Sequence, residues 1–472
     1  MNNTTYYLAI DFGASSGRHI LGHMEHGKLV LEEVYRFENG VQEKNGHLCW
    51  DFERLYEEIL AGLRRCREIG KIPKFMGIDT WGVDFALLDE HGALLGDAVA
   101  YRDGRTAGMD AVVHQTVSAG ELYARTGIAY QPFNTIYQLV ALREKDPDLL
   151  ARAKTLLMVP SYFNYRLTGV AENEYTMAST SQLVSAETKN WDYELLGKLR
   201  LPAEMFAPVR MPGGTVGRFL PEVAEAVGFS CTVLRVAAHD TASAVAAVPS
   251  TQKSFAYISS GTWSLFGTEI PQVNTSAEGQ ASGFSNEGGY EGRFRFLKNI
   301  MGLWMVQSVR REWKAEGKTY SFAELCDEAR KADAFPARVA AEDNRFLAPA
   351  DMRAEIQAAC REAGMPVPET VGEICAVIYH SLAECYARAI VQMEKITGRH
   401  YAEICIVGGG SQAGYLNELT ARATGRHILA GPAEATAIGN LAVQMITAGE
   451  VADLPAARRL IHDSFAVESY RP

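Results

Sequence analysis

The chain has 472 residues, room for two to four domains at ~100–200 residues each. Hydrophobic residues make up 47% and charged residues 22%, which excludes a disordered chain, a coiled coil and a collagen-like fibre. Asp and Glu outnumber Lys and Arg by 57 to 46, a net charge of −11. No nucleic-acid or membrane partner is therefore expected, and any phosphate must be met by a local site.

Residues 6–10 predict a strand, 11–17 a Gly-rich turn, 18–23 a second strand and 28–37 a third. Asp51 reads as a helix cap before Phe52, Leu55, Ile59 and Leu63 at helical spacing, and residues 75–79 as a short buried strand. Residues 233–237 form a strand that runs into a helix pattern. The device then returns: strand 254–259, turn 260–262, strand 263–268. Helix patterns fill 300–313 and 371–396, followed by strand 404–407, glycine turn 408–410 and helix 415–423. Two strand–Gly–strand devices roughly 250 residues apart indicate a domain-scale duplication, too long for a solenoid repeat. The expected domains are 1–246 and 247–472.

The least charged long stretch, 126–142, carries Gln131, Pro132, Asn134 and Gln138, so no membrane helix is expected. No secretory pattern precedes Arg18, the first basic residue. Eight cysteines without a CxxC pair read as reduced thiols of a cytoplasmic protein. His19 and His23 on one strand would stand ~13 Å apart, too far for a shared metal.

Three familiar phosphate motifs fail. Gly317-Lys318-Thr319 ends like a Walker A loop, but Glu312 stands where its first glycine belongs. Asp11-Phe12-Gly13 lacks the other protein-kinase segments. Gly408-x-Gly410-x-x-Ala413 lacks the acidic residue of a dinucleotide site. The turn from Asp11 to Arg18 offers an anion nest with Ser15 and Ser16 as hydroxyl donors, Arg18 as cation and Asp11 as a carboxylate for Mg²⁺. A plain hairpin with a solvated Arg is the alternative. Ser259 to Ser264 repeats that chemistry. Asp240, between His239 and Thr241, reads either as a helix cap or as a general base.

Together these segments resemble the FGGY carbohydrate kinases, within the superfamily that also holds actin and the heat-shock ATPases. The match rests on Asp11 to Arg18, Gly77 to Phe85, Tyr101-Arg102-Asp103, Pro132 to Thr135, His239 to Val245, Ser259 to Leu265, Leu297 to Trp304 and Val407 to Gly410. The resemblance implies an α/β, two-domain actin-like (ribonuclease H-like) fold with a central cleft. It implies ATP- and Mg²⁺-dependent phosphorylation of a ketose primary hydroxyl. The finer pattern points to L-rhamnulose, with L-fuculose or D-xylulose as alternatives. Carried over by position, Asp240 is the general base. Gly82, His239, Asp240, Thr241 and Asn299 contact the sugar. Ala14, Ser15, Ser16, Gly17 and Arg18 hold the ATP phosphates, and Thr262, Gln307 and Gly410 complete the nucleotide site. Trp81 would be a stacking wall, and Asp79 and Asp84 either ligands or satisfied structural carboxylates. A nucleotide-switched binding protein is the competing class; it needs a peptide-binding appendage for which no room is expected.

Overall fold

Continuous apolar runs supply the central strands. In the computed structural model, which describes residues 4–347 and 349–472, β1 (Tyr7–Phe12) is buried along its whole length. It shares a six-stranded sheet with β2 (Ser16–Glu25), β3 (Lys28–Glu38), β4 (Phe75–Thr80), β5 (Gly214–Arg218) and β6 (Thr232–Arg235). The order is β5-β6-β4-β1-β2-β3. β6, β4 and β1 run parallel, whereas β2, β3 and β5 are antiparallel to their neighbours. Helix α1 (Phe52–Glu68) starts where the Asp51 side chain accepts from the Arg54 N–H. Its apolar stripe of Phe52, Leu55, Ile59 and Leu63 joins Leu8, Ile10 and Ile78 of the sheet in one core. Each such buried side chain contributes ~1.5–3 kcal/mol. Helix α2 (Asp240–Ala246) follows β6.

The second sheet is built alike. Of its seven described strands, β7 (Ala256–Ser260), β8 (Trp263–Ile270), β9 (Phe294–Met301), β10 (Glu403–Val407), β11 (His427–Ala430) and β12 (Glu468–Tyr470) run in the order β9-β8-β7-β10-β11-β12, and the seventh, Ser285–Gly288, borders β9. β7, β10 and β11 are parallel; β8 and β12 are antiparallel to their neighbours. Helix α3 (Trp304–Ala315) begins later than the expected residue 300. Asn299 and Ile300 belong to β9, and Gly302 ends that strand where a Cβ would overlap the Trp263–Ser264 backbone. Among the described residues, helix α4 (Val371–Thr397), rather than 126–142, is the segment long and apolar enough to cross a membrane. Most of it is buried, packed on α5 (Gly414–Thr424) with Tyr379 edge-on to Tyr415 at 6.0 Å.

By internal packing, one unit comprises Met1–Ala247, Ile270–Phe296 and Thr436–Ser464, the other Val248–Glu269, Leu297–Ala435 and Phe465–Pro472. Two segments beyond residue 247, 270–296 and 436–464, thus pack within the first unit. The second contains most of α6 (Ala435–Thr447). Asn440 donates to the Gly77 carbonyl (3.1 Å) and Gln444 to the Leu8 carbonyl (2.9 Å), bonds no pattern of apolar spacing reveals.

Candidate active site

The first unit gathers carboxylates at the carboxyl ends of its parallel strands. Asp11 and Asp79 face each other in register across β1 and β4. Asp11 lies within β1, not in the turn, because it also pairs with Arg18 of β2. Arg18 Nη2 lies 2.5 Å from Asp11 Oδ2. The turn itself is short: Gly13 N–H donates to the Ser16 carbonyl (2.9 Å), and Asn39 braces it by donating from Nδ2 to Gly13 O (2.8 Å) and from its N–H to Ser15 O (3.0 Å). Ala14 and Ser16 are half-buried and Ser15 exposed, while Gly17 is buried because a Cβ there would overlap the Phe37 ring. Asp79 is wholly buried. Its Oδ2 accepts from Asn440 Nδ2 (2.6 Å) and its Oδ1 has no partner. Burial, then the Asp11 charge, pushes the Asp79 carboxyl well above the ordinary carboxylate range.

His239, Asp240 and Thr241 stand where β6 leads into α2. The backbone there is pinned from three sides. Ala238 N–H donates to Glu174 Oε2 (3.1 Å), His239 N–H to Thr176 Oγ1 (3.2 Å), and Thr80 N–H to the Ala238 carbonyl (2.9 Å). The capping residue is His239, whose side chain makes no capping bond; Asp240 is already helical. The cap reading of Asp240 therefore fails. Asp240 Oδ1 accepts from the Thr241 N–H (2.5 Å) and Thr241 Oγ1 (3.0 Å), and His239 Nε2 stands 3.3 Å away. Oδ2 carries none of these bonds. Burial, opposed by His239, raises the Asp240 carboxyl above its ordinary value, and the Asp11 charge adds to the rise. Gly82 comes close to the His239 ring: a Cβ there would lie 3.3 Å from Nε2.

Asp84 and Trp81 are structural. Asp84 accepts from Trp50 Nε1 (2.7 Å), Trp81 Nε1 (2.9 Å), the Tyr101 N–H (3.2 Å) and Gln138 Nε2 (3.1 Å). Three of these donors reach Oδ2 and one Oδ1, so the carboxylate is satisfied from within the protein. Trp81 is buried against Trp50 with ring centres 4.1 Å apart, so it offers no open stacking face. Between them Val83 has φ +67°, a strained conformation for a β-branched residue. Its N–H donates to Thr180 Oγ1 (3.1 Å) and its carbonyl accepts from Thr135 Oγ1 (2.6 Å).

The second unit carries no carboxylate in its equivalent turn. Gly261 N–H donates to the Trp263 carbonyl (2.8 Å), and the turn's carbonyls accept from Leu303 (3.1 Å) and Trp304 (3.1 Å) at the start of α3. Thr262 Oγ1 donates to Gln307 Oε1 (3.3 Å). Gly408, at φ +85°, and Gly410 pass so close to Ser260 that a Cβ on either would overlap it. Thr262, Gln307 and Gly410 thus share one corner. Asn299 lies on β9 in this unit, its Oδ1 buried without a partner. Among the described residues, no three His, Cys, Asp or Glu side chains are arranged to hold a metal by themselves. His19 is buried against Gly62 of α1, where a Cβ would overlap its ring.

Sequence reasoning missed Asn440, Glu287 and Arg295. A charged residue inside Phe294-Arg295-Phe296-Leu297, otherwise an apolar strand, was the available signal for the last.

The comparisons with known proteins agree with this layout. The chain matches the model of the FGGY family of carbohydrate kinases, N-terminal domain, over residues 6–247. It matches the C-terminal domain of that family over 256–448. It is 47% identical over 466 residues to the rhamnulokinase of Halalkalibacterium halodurans, covering 98% of each chain. The rhamnulokinase of Bacillus subtilis is 43% identical over 467 residues, covering 99% of this chain and 95% of that one. The ligand-bound xylulose kinase of Lactobacillus acidophilus shares the fold with TM-score 0.80 at 16% identity, over 99% of this chain and 94% of that one. With matched domains spanning most of its length, the chain is a two-domain, ATP-dependent sugar kinase and belongs to the FGGY family of carbohydrate kinases.

Proposed function

We propose that the chain transfers the γ-phosphoryl group of ATP to the primary hydroxyl of L-rhamnulose, giving L-rhamnulose 1-phosphate. The observation that carries this reading is 47% identity, over 98% of both chains, to a protein named rhamnulokinase; the xylulose kinase of Lactobacillus acidophilus shares the fold at 16%. The eight cysteines, all buried and without a disulfide among them, suit a reducing cytoplasmic setting.

Asp240 is the general base. Oδ1 is anchored by Thr241, and Oδ2 is left to take the sugar hydroxyl's proton. A carboxyl raised above its ordinary value holds an arriving proton better, which is what a base at work near neutrality requires. Gly82, His239, Thr241 and Asn299 contact the sugar. Ala14, Ser15, Ser16, Gly17 and Arg18 meet the phosphates, and Thr262, Gln307 and Gly410 the rest of the nucleotide. Residues 1–246 carry the sugar contacts and first turn, with Asn299 the exception, and 247–472 the nucleotide corner. The oxygen donors Asp11 and Asp79, the latter with an orphaned buried Oδ1, fit Mg²⁺, which keeps several waters and takes only one or two carboxylates. When bound, Mg²⁺ would neutralise charge on the phosphates.

Coupled ADP-release kinetics over a panel of ketoses tests this reading. A pocket that pairs with a substrate hydroxyl rejects an analogue lacking it by ~10⁴-fold. The highest kcat/KM is expected for L-rhamnulose. A higher value for L-fuculose or D-xylulose would replace the substrate and keep the class.

A further inference from the structure

Arg295 has no exposed side-chain surface. A buried guanidinium is costly unless charge and hydrogen bonds compensate it. Here Nη2 lies 2.9 Å from Glu287 Oε2, Nε donates to the Gly288 carbonyl (2.8 Å), and Nη2 also lies 3.0 Å from His239 Nδ1. A guanidinium has only donors. A ring nitrogen that bonds to it must therefore present a lone pair, so the imidazole proton sits on Nε2. That nitrogen faces Asp240 Oδ1 at 3.3 Å. A proton on Nδ1 would instead serve Glu287 Oε2 at 3.3 Å, but it would point at the Arg295 N–H across the shorter 3.0 Å contact.

We propose that Arg295 and Glu287 are positioning residues that hold His239 as the neutral Nε2–H tautomer, whose N–H anchors Asp240 Oδ1 and leaves Oδ2 for the sugar hydroxyl. The proposal rests on Asp240 as the general base and deepens that reading. Glu287 keeps Arg295 neutralised. Burial favours its protonation, yet the Arg295 charge beside it holds its carboxyl below the ordinary carboxylate range, so it stays anionic. Neither residue touches the substrate in this scheme. Each acts through His239, which the pinned backbone at Ala238 and His239 keeps in place, while the Gly288 carbonyl holds Arg295.

Nitrogen-15 NMR of the histidine-labelled protein tests it, with the His239 signals assigned by their loss in His239→Asn. The expected spectrum shows a proton-bearing Nε2 and a bare Nδ1. In Arg295→Met the proton should move to Nδ1 or occupy both nitrogens. kcat should then fall about 10²-fold, the size of a small misplacement of a reacting group, with KM for ATP unchanged. Arg295→Lys keeps a donor and should restore the tautomer and part of kcat. A proton on Nδ1 in the unaltered protein overturns the proposal, and this measurement needs no folded variant. So does an unchanged His239 tautomer in a folded Arg295→Met. Should Asp240→Asn keep its turnover, the general-base reading fails separately, while the His239 spectrum still decides the tautomer.

Discussion

The two sheets are close copies in topology and opposites in chemistry. Each has three parallel strands at its centre (β6-β4-β1 and β11-β10-β7) with an antiparallel strand at the far edge, and the second sheet carries one strand more, Ser285–Gly288, beyond β9. In each, a hairpin turn and the end of the adjacent parallel strand form one corner. In the first sheet the last ladder pairs are Asp11 with Asp79 and Phe12 with Thr80. In the second the last pair is Ser259 with Val407, followed by Ser260 and the glycines 408–410. One corner gathers carboxyl groups in a buried place; the other has no carboxylate and is built from glycine backbone with the neutral side chains of Ser260, Thr262 and Gln307. The scaffold fixes where groups are presented, and the side chains at strand ends decide what they do. A carboxylate corner suits proton transfer and a cation, whereas a bare backbone corner suits close approach of a nucleotide.

Removing the proposed proton acceptor of the first unit should have the largest effect. Asp240→Asn is expected to lower kcat by ~10²–10⁴-fold, with KM and melting temperature nearly unchanged. Turnover close to that of the unaltered protein would put the chemistry elsewhere and break the contrast. Next comes the buried charge economy of the first sheet. Burial holds His19 down to about 3 from its ordinary 6.5. Below pH 6.5 the unfolded chain binds a proton that the folded chain refuses, so stability present above 6.5 is lost as pH falls toward 3. Denaturant unfolding of His19→Leu should show a stability slope one proton shallower across that window; an unchanged slope would move the titration to another group. In the second corner, Gly410→Ala forces a Cβ onto the Ser260 hydroxyl. Overpacking costs ~1–3 kcal/mol, and calorimetric ADP affinity should weaken by roughly the corresponding five- to hundredfold. Full affinity would mean that this corner is not the nucleotide's. The smallest effect is expected outside both corners. Lys318, mostly exposed and 4.0 Å from Glu316, belongs to a surface pair of ~0–1 kcal/mol. Lys318→Ala should leave KM for ATP within the error of a steady-state assay.

Both hairpin devices were legible because buried strands are written as apolar runs and tight turns need glycine. The strand at residues 6–10 corresponds to Tyr7–Phe12 and that at 404–407 to Glu403–Val407. The helix at Phe52 was legible through its cap and spacing. Boundaries went astray where side-chain pattern and ladder disagree. Ile300 sits in an apolar run of either periodicity, and what keeps it in β9 is pairing with β8 and the strand Ser285–Gly288, which no spacing within the run announces. The carboxylates of the first corner were visible as residues, but their company was not. Asp79 and its donor Asn440 are 361 positions apart. The Arg295–Glu287 pair joins neighbours in sequence, yet its meaning depends on His239, 56 positions away.

Helix α6 has a consequence for how the protein is made. The first sheet leaves the ribosome by residue 235, but the helix that satisfies Leu8, Gly77 and Asp79 lies at Ala435–Thr447. At ~5–20 residues per second of synthesis, the nascent sheet must wait roughly 10–40 s with those buried acceptors uncovered. The N-terminal half is thus poorly placed to fold vectorially, and a ribosome-stalled or truncated chain ending near residue 250 should present its parallel strands to chaperones rather than as a finished domain.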